Sequence, residues 1–133
     1  MRKERLCFLN DRPVHHARGY VLYWMQQAQR VACNHALTYA ANEANRLGLS
    51  LLVAFALTED FPCANRRHYR FMLEGLMKVR TALSERGVLF VLRKGHPAKT
   101  ISDLAADASL VVVNRGYLRV QREWRAEAAE CLD

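Results

Sequence analysis

Apolar positions along the chain follow two rhythms. Short, nearly unbroken runs at residues 20–25, 49–57, 88–93 and 109–113 are rich in Val, Leu and aromatic residues and predict strands buried on both faces. Between them apolar residues recur every three or four positions, the period of a helix packed on one side. The first such stretch predicts a helix over residues 34–47, opened by Asn34 as N-cap, with Leu37, Ala40, Ala41, Ala44 and Leu47 inward and Gly48 as its stop. A second covers residues 64–86, with Tyr69, Met72, Leu73, Leu76, Val79 and Leu83 inward; Pro62 prepares its start and Gly87 ends it. A short helix carrying Ile101, Leu104 and Ala105 follows Gly95-His96-Pro97. A last helix starts at about Tyr117, with Trp124, Ala128 and Cys131 facing inward. Residues 1–19 are polar, Arg-rich and aperiodic and read as an extended arm ahead of an α/β domain at 20–133.

Strands alternating with helices imply a parallel sheet covered on both faces, and right-handed crossovers make it a doubly wound, Rossmann-like α/β fold. The chain stops at Asp133 straight after a helix, which predicts a domain lacking its last strand. In such sheets ligands sit where strands hand over to helices at their carboxyl ends. The first strand ends in Trp24 and Met25 and runs into Gln26 and Gln27, long amides that can bond a planar heterocycle without adding charge. By residue type alone Trp24 and Met25 are core; their position beside the amide pair makes them candidates. With the ends of the second and fourth strands, the candidate site comprises Trp24, Met25, Gln26, Gln27, Leu57, Asn114, Arg115 and Gly116.

Composition narrows the class. A content of 51% hydrophobic and 25% charged residues fits an ordinary globular domain, and no apolar run reaches membrane-span length. The basic start MRKERLCFLNDRP lacks the apolar core of a signal peptide, so the expected location is cytoplasmic, or nuclear for a eukaryotic parent. The 4 cysteines are scattered and form no CxxC pair, which argues against a zinc site or a disulfide framework. Cys7 and Cys33 read as loop residues and Cys131 as a small hydrophobe near a helix end. A net charge of +7 favours acidic partners, nucleic acid among them, although dispersed arginines also make an ordinary solvated surface.

Several chemistries are excluded. GxGxxG, GxxxxGK[ST] and GxSxG are all absent, removing the dinucleotide fingerprint, the P-loop and the hydrolase elbow. Glu59-Asp60 has no second acidic pair for acid–base work and reads as loop surface. His68 reads as a partly exposed structural histidine, with phosphate contact as the sharper alternative. His15 and His16 lack further metal ligands. Arg119, Arg122 and Arg125 read as a solvated face partly paired with Glu123 and Glu127, with an interdomain or DNA-facing stripe as the alternative.

Four ordered blocks carry a resemblance: YWMQQAQR with NHAL, FALTEDFPCANRRHYRFMLEGL from Phe55 to Leu76, RGVLFVLRKGHP, and SLVVVNRGYLRVQREWR. Together they resemble the N-terminal domain of class II cyclobutane pyrimidine dimer photolyases. Gln26-Gln27 stand where Arg-Arg is common in the wider superfamily, and Asn114 where Asp is common. The resemblance implies a flavoenzyme parent that uses light and reduced FAD to split pyrimidine dimers flipped out of DNA. It implies that the α/β domain does none of that chemistry: it packs on a helical FAD domain and in several branches holds an antenna pigment, a deazaflavin or a folate. It therefore implies no catalytic residue here, no FAD on this stretch alone, and damaged DNA as a partner through the parent. A non-enzymatic alternative is a free-standing Rossmann-like module that docks on a flavoprotein or a nucleotide-bearing partner.

Overall fold

A computed structural model describes residues 3–132. After a short 3-10 turn at Lys3–Arg5, the order is β1 (Tyr20–Trp24), α1 (His35–Leu47), β2 (Ser50–Leu57), α2 (Arg66–Ser84), β3 (Leu89–Lys94), α3 (Pro97–Ala105), β4 (Ala108–Val113) and α4 (Arg119–Cys131). The strands form one all-parallel sheet in the order β3-β2-β1-β4. This is the expected Rossmann-like α/β architecture. The order reverses between β1 and β4, so the crevice of a doubly wound sheet falls at their carboxyl ends.

Alternation along β1 divides the core in two. Val21, Tyr23 and Met25 join Leu37, Ala40 and Ala44 of α1 and Leu76, Val79 and Leu83 of α2 on one face. Leu22 and Trp24 join Ala98, Ile101 and Leu104 of α3 and Ala128 of α4 on the other. Both faces of β1 are therefore sealed, as its apolar run predicts.

The helix starts show how local chemistry fixes these elements. The Asn34 side chain accepts the Leu37 N–H, and Gly48 closes α1 in the left-handed region at φ 67°. The start of α2 lies later than expected: Asn65 caps it rather than residues near Pro62. His68 completes the cap, its Nδ1 accepting the Asn65 N–H at 3.1 Å. His68 is thus a structural histidine.

Three expectations need correction. Cys131 is exposed, and its neighbour Leu132 packs on the second core instead. β3 is not covered on both faces: Leu89 is 64% and Leu92 42% exposed. Leu89 is on the face of α3, which crosses to β2, β1 and β4 and leaves the outer strand bare there, whereas Leu92 is on the α2 face, which the helix covers only in part. α4 begins at Arg119 rather than Tyr117.

The arm is docked. Arg5 Nη1 meets His35 Nε2 at 3.4 Å at the head of α1, and Asn10 Nδ2 donates to the Ala129 carbonyl in the last turn of α4. The His15 N–H donates to Ser109 O, the Gly19 N–H to Asp107 O, and Ser109 Oγ donates to Arg18 O. Residues 5–19 thus run down the β4 flank of the sheet.

Candidate functional site

The loops leaving β1 and β4 part at the crevice, and side chains of the chain itself bridge it. Asn114, just past β4, accepts the Gln26 N–H on Oδ1 at 2.8 Å and the Tyr23 hydroxyl at 3.2 Å. Tyr23 in turn accepts from Asn34 Nδ2 at 3.0 Å. The same amide nitrogen lies 3.1 Å from Ala28 O and 2.9 Å from Arg30 O, holding the loop after β1 against the start of α1. Gln29 Nε2 donates to Gln26 O, and Arg30 Nη2 to Cys33 O. Cys33, the residue before the cap, takes the left-handed conformation at φ 52°. One polar relay, Asn34 to Tyr23 to Asn114, therefore ties the first loop to the fourth strand.

Burial pushes the Tyr23 phenol up to about 12, against smaller lowering from the Asn34 hydrogen bond and the Arg30 charge. It stays neutral near pH 7 and serves as a hydrogen-bonding strut between Asn34 and Asn114.

Gln26 is the anomaly. It is only 8% exposed, and neither its Oε1 nor its Nε2 has a hydrogen-bond partner among the described residues. Gln121 of α4, 7% exposed, likewise leaves its Oε1 unpaired. A buried amide without partners costs roughly 1–3 kcal/mol, so such groups mark places where a polar guest would be held. Gly116 sits against Gln121 so closely that any side chain there would displace it. Above the crevice, Phe61 in the loop after β2 packs on Trp124 of α4, ring centroids 6.1 Å apart. That loop is pinned by Tyr69, whose hydroxyl donates to Thr58 O at 2.7 Å, and by a Glu59–Lys94 ion pair at 2.6 Å. Glu59 thus has a surface role.

The eight candidate residues do not form one wall. Trp24 faces the α3–α4 side, while Met25 and Leu57 belong to the α1–α2 side. Gln26, Asn114 and Gly116 lie at the crevice, whereas Gln27 and Arg115 are exposed. Tyr23, Asn34 and Gln121 were missed as site residues. The i, i+2 spacing of Tyr23 with Val21 and Met25 places it on a packed face, and a phenol there requires a polar partner. A surface depression of about 340 Å³ lies elsewhere, on the outer face of α2 near its carboxyl end, lined by Met77, Lys78, Thr81, Ala82 and Glu85, and another overlaps it along the same helix. They carry no convergent polar chemistry.

At the head of α4 a different group of side chains gathers. Arg125 Nη1 donates to the Gly116 carbonyl at 2.7 Å, and the Arg115 guanidinium lies 5.6 Å from the Tyr117 ring centroid. Burial lowers the Arg125 pKa, and the nearby charges of Arg115 and Arg122 lower it further.

A family model for DNA photolyase matches residues 21–133, all four strands and their helices. The chain belongs to the DNA photolyase family. Among curated members it is similar to the deoxyribodipyrimidine photo-lyase of Methanothermobacter thermautotrophicus, 47% identical over 97% of this chain. It is also similar to those of Arabidopsis thaliana, 32% identical over 89% of it, and Potorous tridactylus, 38% identical over 68%. The chain spans only 29%, 24% and 16% of those photolyases. Among solved structures, universal stress protein UspA from Lactobacillus plantarum superposes with a TM-score of 0.51 at 17% identity, covering 87% of this chain and 96% of that one. That likeness concerns the α/β layering alone. Among the described residues no group of three or more His, Cys, Asp or Glu gathers to hold a metal, and no helix is long and apolar enough to cross a membrane.

Proposed function

We propose that this photolyase-family domain is the antenna and scaffold portion of a class II cyclobutane pyrimidine dimer photolyase, cytoplasmic or nuclear with its parent. In that reading the parent repairs dimers in DNA by light-driven electron transfer from reduced FAD held by a helical domain. The α/β domain is without catalytic residues of its own. Its guest is a planar antenna pigment, a deazaflavin or a folate, whose chemistry is to absorb light and pass the excitation to the flavin. The observation that carries the pigment reading is Gln26, a buried amide with a donor and an acceptor both unpaired at the crevice. A heterocyclic edge bearing a carbonyl and a ring N–H satisfies both without adding charge. Gln26 would hold that edge, and the Asn34–Tyr23–Asn114 relay would keep Gln26 in position.

Titrating the purified chain with a deazaflavin and with a folate tests this reading. A saturable change in absorbance or fluorescence with one of them is expected; no change with either overturns the pigment assignment. Replacing Gln26 with leucine is expected to abolish that titration while raising the stability of the pigment-free chain by about 1–2 kcal/mol, because an orphaned buried amide is removed. Urea denaturation checks the second half, and a loss of stability would mean that the amide has partners of its own. For the parent activity, a photolyase carrying this domain together with a helical FAD domain should repair dimer-containing DNA under blue light, whereas the 133-residue chain alone should not.

A further inference from the structure

Three surface arginines on the helices find carboxylates one helical turn away, Arg46 with Glu43 at 2.7 Å, Arg70 with Glu74 at 2.9 Å and Arg119 with Glu123 at 2.7 Å, while Arg66, Arg67 and Arg80 of α2 have no such partner among the described residues. Arg119 thus pairs with Glu123 as the solvated-face reading expects, and the alternative of one stripe through Arg119, Arg122 and Arg125 is broken at its first member. Three others around the head of α4 form no such pair. Arg125 turns to the Gly116 carbonyl, Arg115 lies over Tyr117, and the Arg122 side chain has no partner among the described residues. Arg122 and Arg125 are three residues apart on the helix, and the Gly116 bond brings Arg125 beside the backbone of Arg115. Like charges held this close without a counter-charge raise the local potential and favour an anion.

The surroundings share that preference. Leu118, at the N-cap of α4, supplies no capping side chain and the first turn from Arg119 holds no acidic residue, so the positive end of the helix is unopposed. Beside it stand an aromatic and an aliphatic side chain that the core does not use: Tyr117 is 73% and Leu118 54% exposed. Guanidinium groups flanking an exposed ring make up the kind of surface on which an unpaired base stacks while its phosphates are neutralised. A duplex keeps its bases stacked and offers no face to Tyr117. A lipid surface would call for a broader apolar face than these two side chains provide.

We propose that Arg115, Arg122 and Tyr117 form a binding site for single-stranded nucleic acid, with the two arginines on successive phosphates and the open face of the Tyr117 ring under a base. Arg125 is a positioning residue: bonded to Gly116, it holds the β4–α4 turn that presents Arg115 and Tyr117. The site adjoins the Gln26 crevice through Asn114 and Gly116 but uses other side chains and needs neither pigment nor light, so its failure and the failure of the pigment reading are distinguishable.

The test is fluorescence anisotropy of a labelled oligothymidylate with the full chain across a salt series. Saturable binding is expected, with Arg115→Gln and Arg122→Gln each weakening it about three- to tenfold and lowering the slope of log affinity against log salt by about 0.7. Tyr117→Ser should weaken binding about tenfold through loss of stacking, leaving the slope unchanged. Arg80→Gln, an equal charge loss on the exposed side of α2, should change neither. Because the three substituted side chains lie outside the core, thermal unfolding should match the parent chain. The proposal is overturned if Arg80→Gln weakens binding as much as the patch variants do, or if a duplex of equal length binds as tightly as the single strand. It is equally overturned if the chain binds vesicles of anionic phospholipid but not the oligonucleotide.

Discussion

Replacing Asn34 with alanine should destabilise the domain by about 3 kcal/mol, a large share of the 5–15 kcal/mol typical of a whole fold. The magnitude follows from how much one buried amide does. Its Oδ1 caps α1 by accepting the Leu37 N–H at 3.0 Å, and loss of such a cap costs about 1 kcal/mol. Its Nδ2 serves the Tyr23 hydroxyl and the Ala28 and Arg30 carbonyls, and its two protons are shared among the three. Truncation leaves those acceptors unsatisfied beside a residue that is 3% exposed, adding about 1 kcal/mol for each bond lost. Asn34→Asp separates the two roles. It keeps the cap acceptor but points a carboxylate at two carbonyl oxygens, so it should still cost about 2 kcal/mol. Urea midpoints for the two variants check this; an aspartate variant as stable as the parent chain would reduce Asn34 to a simple cap.

Raising the pH from 10 to 12 should remove about 2–3 kcal/mol of stability through Tyr23 alone. Its folded-state pKa is raised from 10.0 to about 12, so the fold binds the phenolic proton more tightly than the unfolded chain does. The stabilisation is fully present below pH 10 and is lost as the pH rises toward 12, at about 1.4 kcal/mol for each pH unit between the unfolded and folded values. Tyr20 and Tyr39 are raised in the same direction, chiefly by burial, and add to the decline. The contribution of Tyr23 is therefore read as a difference. Tyr23→Phe should be less stable than the parent chain at pH 8, having lost the bridge to Asn34 and Asn114, yet should show a shallower fall at alkaline pH. Parallel curves for the two proteins would mean that this phenol reaches solvent.

Most of the architecture was legible in the chain. Continuous Val and Leu runs marked β1, β2 and β4 because those strands are covered by helices or neighbouring strands over most of their length. The same signal misread β3: a run such as LFVLR records apolar residues but not whether a crossover helix passes above them. Cys131 was misplaced for a related reason. Its spacing from Trp124 and Ala128 fits the inner face of α4, but the helix ends there and Leu132 takes the position on the core. The candidate site was legible as a location. Gln26 stood out because a long amide straight after a buried strand has no local use. The mix of Trp24 with Met25 failed because successive strand residues point to opposite faces. The part played by Asn34 beyond its cap needed two loop carbonyls and one strand hydroxyl to converge, a matter of loop path rather than periodicity. The resemblance to photolyases rested on ordered blocks such as FALTEDFPCANRRHYR and identified the family that the match over residues 21–133 supports.

Synthesis runs from the amino end, and the docked arm gives that direction a consequence. Residues 15–19 are made well before the residues they bond, Asp107 and Ser109, and Asn10 waits for Ala129. β1 likewise needs β4 on one side. Apart from the Arg5–His35 contact, this segment thus stays unanchored until β4 and α4 have emerged, and contacts of such long separation close slowly. Its exposed Phe8 and Leu9 make that waiting period the stage at which a nascent chain of this domain most needs a chaperone.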